Sequence, residues 1–240
     1  MKELRPIGII KLGSTFPHFI EQEGDFEDWI SKGLGLSGER IVHCCPLREE
    51  GFPTSKTLAG LVLTGSHNMV TDNHDWSKET GRWLLELIEE KIPILGICYG
   101  HQLLAHILGG RVGENENGPE FGSLEVELTK EAEGDELFSS LPSPLLVHCC
   151  HKQSVLELPK GATLLAFNEC CAIQAFKAGP CWGVQFHPEF SARTTREYVI
   201  QFKEELQERG YQVNDILTAI KETPESNSLL RQFALFCDVL

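Results

Sequence analysis

The chain has 240 residues, 41% of them hydrophobic, enough for one large domain with a sizeable core. Its 21 basic and 35 acidic residues leave a formal charge of −14, which argues against nucleic acid or an anionic membrane surface as partner, because both require clustered Lys and Arg. No apolar stretch approaches the roughly 20 residues that span a bilayer, and MKELRPIGIIKLG makes a poor export signal, so the expected location is the cytoplasm.

In chain order, the apolar run RPIGIIKL (5–12) predicts a buried first strand. FEDWISKGL carries helical spacing through Phe26, Trp29 and Ile30 before Gly33, Gly35 and Gly38 interrupt it. ERIVHCCPL and LAGLVLTGS (58–66) read as the second and third strands. WSKETGRWLLELIEEKI spaces Trp83, Leu84, Leu87 and Ile88 along one helix face, PILGIC follows as a strand, and HQLLAHILGG as a helix ending at Gly109 and Gly110. Strands alternating with helices predict parallel crossovers and an α/β layered fold. Beyond this point GSLEVELTK, SPLLVHCC, ATLLAFN, CAIQAFK and CWGVQFH are short strand-like runs, expected to form a partly antiparallel portion of one mixed, mostly parallel sheet flanked by helices. From Thr194 onward the pattern is helical, and Pro224 is expected to start a new helix. The simplest division is one domain over residues 1–205 with a helical extension, 206–240, packed on or beside it.

Nine cysteines are present, six of them in adjacent pairs: Cys44–Cys45, Cys149–Cys150 and Cys170–Cys171. Adjacent cysteines are poorly placed to share a metal ion and no C-x-x-C occurs, so the pairs read as small buried hydrophobes, with neither a metal nor a cofactor expected. Cys98 is different. It sits in ILGICYGHQ (94–102) between Gly96 and Gly100, where an apolar strand gives way to a helix. A sharp strand-to-helix turn places its central residue at the carboxyl edge of the sheet, flanking glycines permit the strained backbone, and the helix N-terminus aims free amides at the sulfur. These features favour a thiolate nucleophile. A nucleophile needs a base and an orienting group, and WGVQFHPEFS (182–191) supplies His187 with Glu189 two residues on, expected on one face of an extended segment that Pro188 keeps rigid.

GICYGHQLLAHILGG together with GVQFHPEF resembles the signature pair of class I glutamine amidotransferases, the triad family, and most of all the amidotransferase domain of GMP synthase, here as a free-standing chain. The resemblance covers roughly residues 5–205 and implies a flavodoxin-like fold. It implies Cys98 as nucleophile, His187 as general acid/base and Glu189 as orienter. LTGSHNMV resembles the family's turn after the third strand, which implies oxyanion-hole amides at Ser66, next to Gly65, and at Tyr99; Ser66 and His67 stand where the family often has Gly-Pro. Gln102 falls at a glutamine-contacting position. PEFGS resembles the segment beside the active site, with Glu120 structural rather than catalytic. VHCCHKQSV resembles the stretch that holds the substrate's α-amino and carboxylate ends: His151 matches, whereas Cys150 replaces Ser and Gln153 replaces Asp. Gly65, Gln102 and His151 are therefore the expected substrate-binding residues.

The resemblance implies hydrolysis of the glutamine side-chain amide through a γ-glutamyl thioester, with ammonia passed to a separate synthase partner. After the last motif only helical sequence remains, with no phosphate loop for ATP. Two other readings stand beside it: hydrolysis of γ-glutamyl peptides by the same triad, and a non-enzymatic binder of a glutamyl ligand. The apolar residues Leu229, Leu230, Phe233, Phe236 and Cys237 make the tail either a homodimer or docking element or, more simply, a helix packed on its own domain.

Overall fold

The structure, a computed structural model, describes residues 5–48 and 51–239. Ile7–Ile10 forms β1, Ile41–Cys44 β2, Gly60–Leu63 β3 and Ile94–Ile97 β4. Each is four residues long, and β1, β3 and β4 are buried throughout, as expected of strands covered on both faces. Arg111–Glu114 is β5, Glu120–Leu128 β6, Leu145–His151 β7, Gln153–Glu157 β8, Thr163–Phe167 β9, Ala175–Ala178 β10 and Cys181–Val184 β11. Among the described residues nine strands form one sheet in the order β2-β1-β3-β4-β11-β10-β9-β6-β7, while β5 and β8 pair separately. β2, β1, β3, β4 and β11 are mutually parallel, and the remainder joins antiparallel. This is the mixed sheet expected from the sequence.

The helices are α1 (Pro17–Glu23), α2 (Phe26–Leu34), α3 (Asp75–Glu89), α4 (Tyr99–Ile107), α5 (Ala192–Gln201), α6 (Lys203–Glu208), α7 (Val213–Ala219) and α8 (Pro224–Phe236). Asp25 caps α2: its carboxylate accepts from Phe26 N at 2.8 Å, and Asp28 accepts in return from Asp25 N at 2.9 Å. The same carboxylate accepts from Thr15 N at 2.8 Å and pairs with Lys11 at 2.6 Å, tying the end of β1 to α2.

Several local expectations are corrected. Gly33 does not end α2 but lies within it, where a side chain would collide with Leu230 of α8. The helical stretch expected from Thr194 onward is observed as α5, α6 and α7, and α8 begins at Pro224 as expected. β11 stops at Val184, and residues 188–189 form a turn rather than an extended segment. α8 buries Leu229, Leu230, Phe233 and Ala234 completely in the main core, on the same side of the sheet as α2.

Candidate active site

The site is built where β4 ends. Cys98 has φ 49° and ψ −98°, a strained left-handed conformation for a residue with a side chain. Its backbone is held from both sides, with Cys98 N donating to Val184 O at 2.8 Å and Gln102 N donating to Cys98 O at 3.0 Å. The flanking glycines have steric causes. A Cβ on Gly96 would lie 2.5 Å from Gly100 O, and one on Gly100 would lie 2.6 Å from Leu63 Cβ. Only with both side chains absent can α4 start this close to β3 and β4. Tyr99 opens α4, so its amide has no acceptor within the helix. The Tyr99 hydroxyl is meanwhile anchored to Ser77 of α3 at 2.8 Å, and burial pushes that phenol up to about 12.

His187 follows β11 and faces Cys98. Its backbone N donates to His148 O at 2.8 Å, and a turn closed by Phe190 N on His187 O at 3.3 Å brings Glu189 back beneath the ring. The Nδ1 of His187 and Oε1 of Glu189 are 2.7 Å apart, both side chains buried. The i, i+2 pairing expected of an extended strand is thus achieved by a turn. The His187 ring stacks on Phe190 at 4.1 Å between centroids, and Cys98 and His187 line the same cavity, both next to Gly65. Burial disfavours charge on this ring, yet its coupling to Glu189 and to Cys98 outweighs that and raises the imidazolium to about 10. Two nearby histidines go the other way. Burial, aided by repulsion from His187, lowers His148 to about 4 and depresses His67, so neither competes for the charge.

A cavity of about 340 Å³ opens over the sulfur, and Ser66, Cys98, Tyr99, Gln102, His151, Gln153 and His187 all line it. Gly65 lies behind it, where a Cβ would stand 3.2 Å from the His187 ring, so the absence of a side chain leaves the imidazole its place. The Ser66 hydroxyl accepts from Asn68 N at 3.1 Å and so closes the turn after β3. Gln102 donates its side-chain nitrogen to Gln153 O at 2.8 Å and to Gln185 Oε1 at 3.0 Å. His151 is held at both ring nitrogens, by Glu120 Oε2 at 2.9 Å and Gln153 O at 3.0 Å, and Gln174 and Asn168 each donate to Glu120 at 2.7 Å. Glu120, Cys149 and His151 could together offer three ligand atoms within 4.8 Å. Glu120 and His151 are already used by this network, and burial followed by the Glu120 charge drives the Cys149 thiol well above its ordinary range.

One wall of the cavity is aromatic, formed by Phe16, Phe26, Tyr198, Phe202 and the His67 ring. Phe16 lies 4.9 Å from His67 and 5.0 Å from Tyr198. Tyr198 OH donates to Thr15 Oγ1 at 2.9 Å and meets His67 Nε2 at 3.2 Å, which fixes this wall to the Asp25 cap of α2. Sequence reasoning did not anticipate the wall or the contacts of His148, Gln174 and Gln185, because their spacing marks them only as ordinary strand and loop positions.

The sequence and the fold are similar to those of known proteins. Residues 42–205 match the family model "Glutamine amidotransferase class-I", and the chain belongs to that family. The chain is 41% identical over 163 residues to the glutamine-hydrolysing GMP synthase subunit of Pyrococcus abyssi, covering 65% of this chain and 78% of that protein. It is also 34% identical over 154 residues to gamma-glutamyl peptidase 5 of Arabidopsis thaliana, covering 62% of this chain and 61% of that protein. A crystal structure of a glutamine amidotransferase from Thermotoga maritima superposes with a TM-score of 0.77 at 25% identity, over 97% of this chain and 98% of that one. No helix among the described residues is long and apolar enough to cross a membrane.

Proposed function

We propose that the chain is a glutamine-hydrolysing enzyme in which Cys98, His187 and Glu189 act as nucleophile, general acid/base and orienter. The observation that carries this reading is the strained Cys98 elbow sharing one cavity with a His187 ring whose Nδ1 is held by Glu189 at 2.7 Å. The Cys98 thiolate attacks the side-chain amide carbon of glutamine. The oxygen's negative charge is received by the backbone amides of Tyr99 and Ser66, each worth about 3 kcal/mol to the transition state. The His187 imidazolium then gives its proton to the departing nitrogen, ammonia leaves, and a γ-glutamyl thioester remains on Cys98. His187, now neutral, takes a proton from water as it attacks the thioester; glutamate departs and the thiolate–imidazolium pair is restored. Gly65, Gln102 and His151 border the place of the amino-acid end of the substrate. Residues 1–205 form the amidotransferase unit, with 206–240 as its helical extension.

The Pyrococcus relative is one subunit of a glutamine-hydrolysing synthase, which supports a separate ammonia-accepting partner. A second reading is favoured by one observation. The general acid must stand beside the leaving group, and the cavity His187 lines is also walled by Phe16, Phe26, Tyr198 and Phe202, more apolar surface than departing ammonia needs. This suits a γ-glutamyl amide with a larger amine, as does the likeness to a gamma-glutamyl peptidase. Glutamate release from glutamine and from γ-glutamyl-phenylalanine, measured side by side, separates the two. Preference for glutamine supports ammonia transfer, and preference for the dipeptide supports the peptidase.

A further inference from the structure

The turn that carries Glu189 is gripped by the C-terminal helix. Asn227, in the first turns of α8, points its side-chain nitrogen at the two carbonyls that flank Glu189, donating to Pro188 O at 2.6 Å and to Phe190 O at 3.0 Å. The asparagine amide supplies two N–H donors on a short stem, and both are used on the same loop. The helix behind it is fixed. Thr223 and Ser226 are fully buried, as are Leu229, Leu230, Phe233 and Ala234, and α8 approaches close enough that a side chain at Gly33 or Gly60 would collide with Leu230 or Cys237. Just ahead of α8, Glu222 accepts from Ala192 N at 3.3 Å, which holds the other end of the same loop where α5 begins.

The carboxylate needs this support. Glu189 meets His187 through Oε1 alone, and its Oε2 has no hydrogen-bond partner among the described residues. With no second hydrogen bond to set its approach to the imidazole, the backbone of residues 188–190 must do so. We propose that Asn227 is a positioning residue for the reaction: by clamping Pro188 O and Phe190 O from α8, it sets the Glu189 carboxylate against His187 and couples the C-terminal extension to the catalytic residues. This rests on the triad reading above and adds to it a role for a residue outside the matched 42–205 segment.

The test is Asn227→Ala, a neutral change that adds no charge near His187, with Asn227→Ser, which keeps one hydroxyl donor, as the milder variant should the alanine protein fail to fold. Turnover of the better of the two substrates is followed across pH, with thermal melts in parallel. The expected result is a fall in kcat of roughly 10- to 100-fold in Asn227→Ala with KM changed by less than about 2-fold, and a smaller fall in Asn227→Ser. The alkaline limb of the kcat/KM profile should also move to lower pH, because a displaced Glu189 no longer holds up the His187 proton. A purely structural role lowers the melting temperature but leaves kcat and the alkaline limb of the surviving protein unmoved, and that result would overturn the proposal. Wild-type protein inactive on both substrates would remove the triad reading, and the proposal with it.

Discussion

Gly96→Ala offers the sharpest steric test of the cysteine elbow. The added methyl would sit 2.5 Å from Gly100 O, 2.6 Å from Gly100 C and 2.8 Å from His101 N, all backbone atoms of the first turn of α4. Ordinary contact begins near 3.4 Å, so the helix must retreat from β4 by about 0.9 Å, with no flexible side chain able to give way instead. Overpacking of this kind costs about 3 kcal/mol. For a domain of this size that is a fall in Tm of roughly 6–12 °C. Because the displaced turn carries the Cys98 side chain and the Tyr99 amide, turnover should drop by about 100-fold as well. The control is Gly134→Ala, where a Cβ meets nothing within 4 Å; its stability should stay within about 0.5 kcal/mol of wild type. Thermal unfolding followed by circular dichroism and a glutamate-release assay check both quantities. A Gly96→Ala protein that melts and turns over like the control would refute the steric account of the elbow.

Other consequences follow from the strain and the charge. Cys98→Gly and Cys98→Ala should both abolish turnover, but the glycine variant should be the more stable by about 1 kcal/mol, since φ 49° strains any side chain there; calorimetry showing alanine the more stable would count against strain at this position. His187 is raised from 6.5 to about 10, with burial opposing and Glu189 and Cys98 supporting its charge. Its contribution to stability is therefore fully present below 6.5 and is lost as pH rises through about 10. Glu189→Gln removes the largest supporting charge, so urea unfolding should find the gap between wild type and Glu189→Gln widest near pH 6 and narrower toward pH 10; a gap independent of pH would mean that the pair carries no charge.

Much of this arrangement could be read directly from the residues. The apolar runs at 5–12, 58–66 and 94–97 contain the buried parallel strands, because strands covered on both faces leave an uninterrupted hydrophobic signal. Gly96, Cys98 and Gly100 marked the elbow, since only a close backbone approach requires glycine on both sides. What could not be read was everything set by long-range packing. The pairing of β5 with β8 joins segments some 40 residues apart and leaves little local pattern. The turn at 188–189 has a Pro that is equally compatible with extended chain. Asn227 sits in a helix that looks amphipathic and ordinary, and its role appears only when α8 is folded back beside Pro188 and Phe190. Likewise the aromatic wall gathers Phe16, Phe26, Tyr198 and Phe202 from both ends of the sequence. Conversely, the glycine expected to stop α2 lies within it, where its missing side chain makes room for the crossing with α8.

The central claim is that Cys98 carries a γ-glutamyl group during turnover, and the most direct measurement is mass spectrometry of acid-quenched enzyme taken in the steady state with glutamine or a γ-glutamyl dipeptide. The account predicts a glutamyl adduct on the peptide bearing Cys98, absent from Cys98→Ala, which also releases no glutamate. Glutamate release that continues in Cys98→Ala, with no adduct on the wild-type peptide, would contradict it.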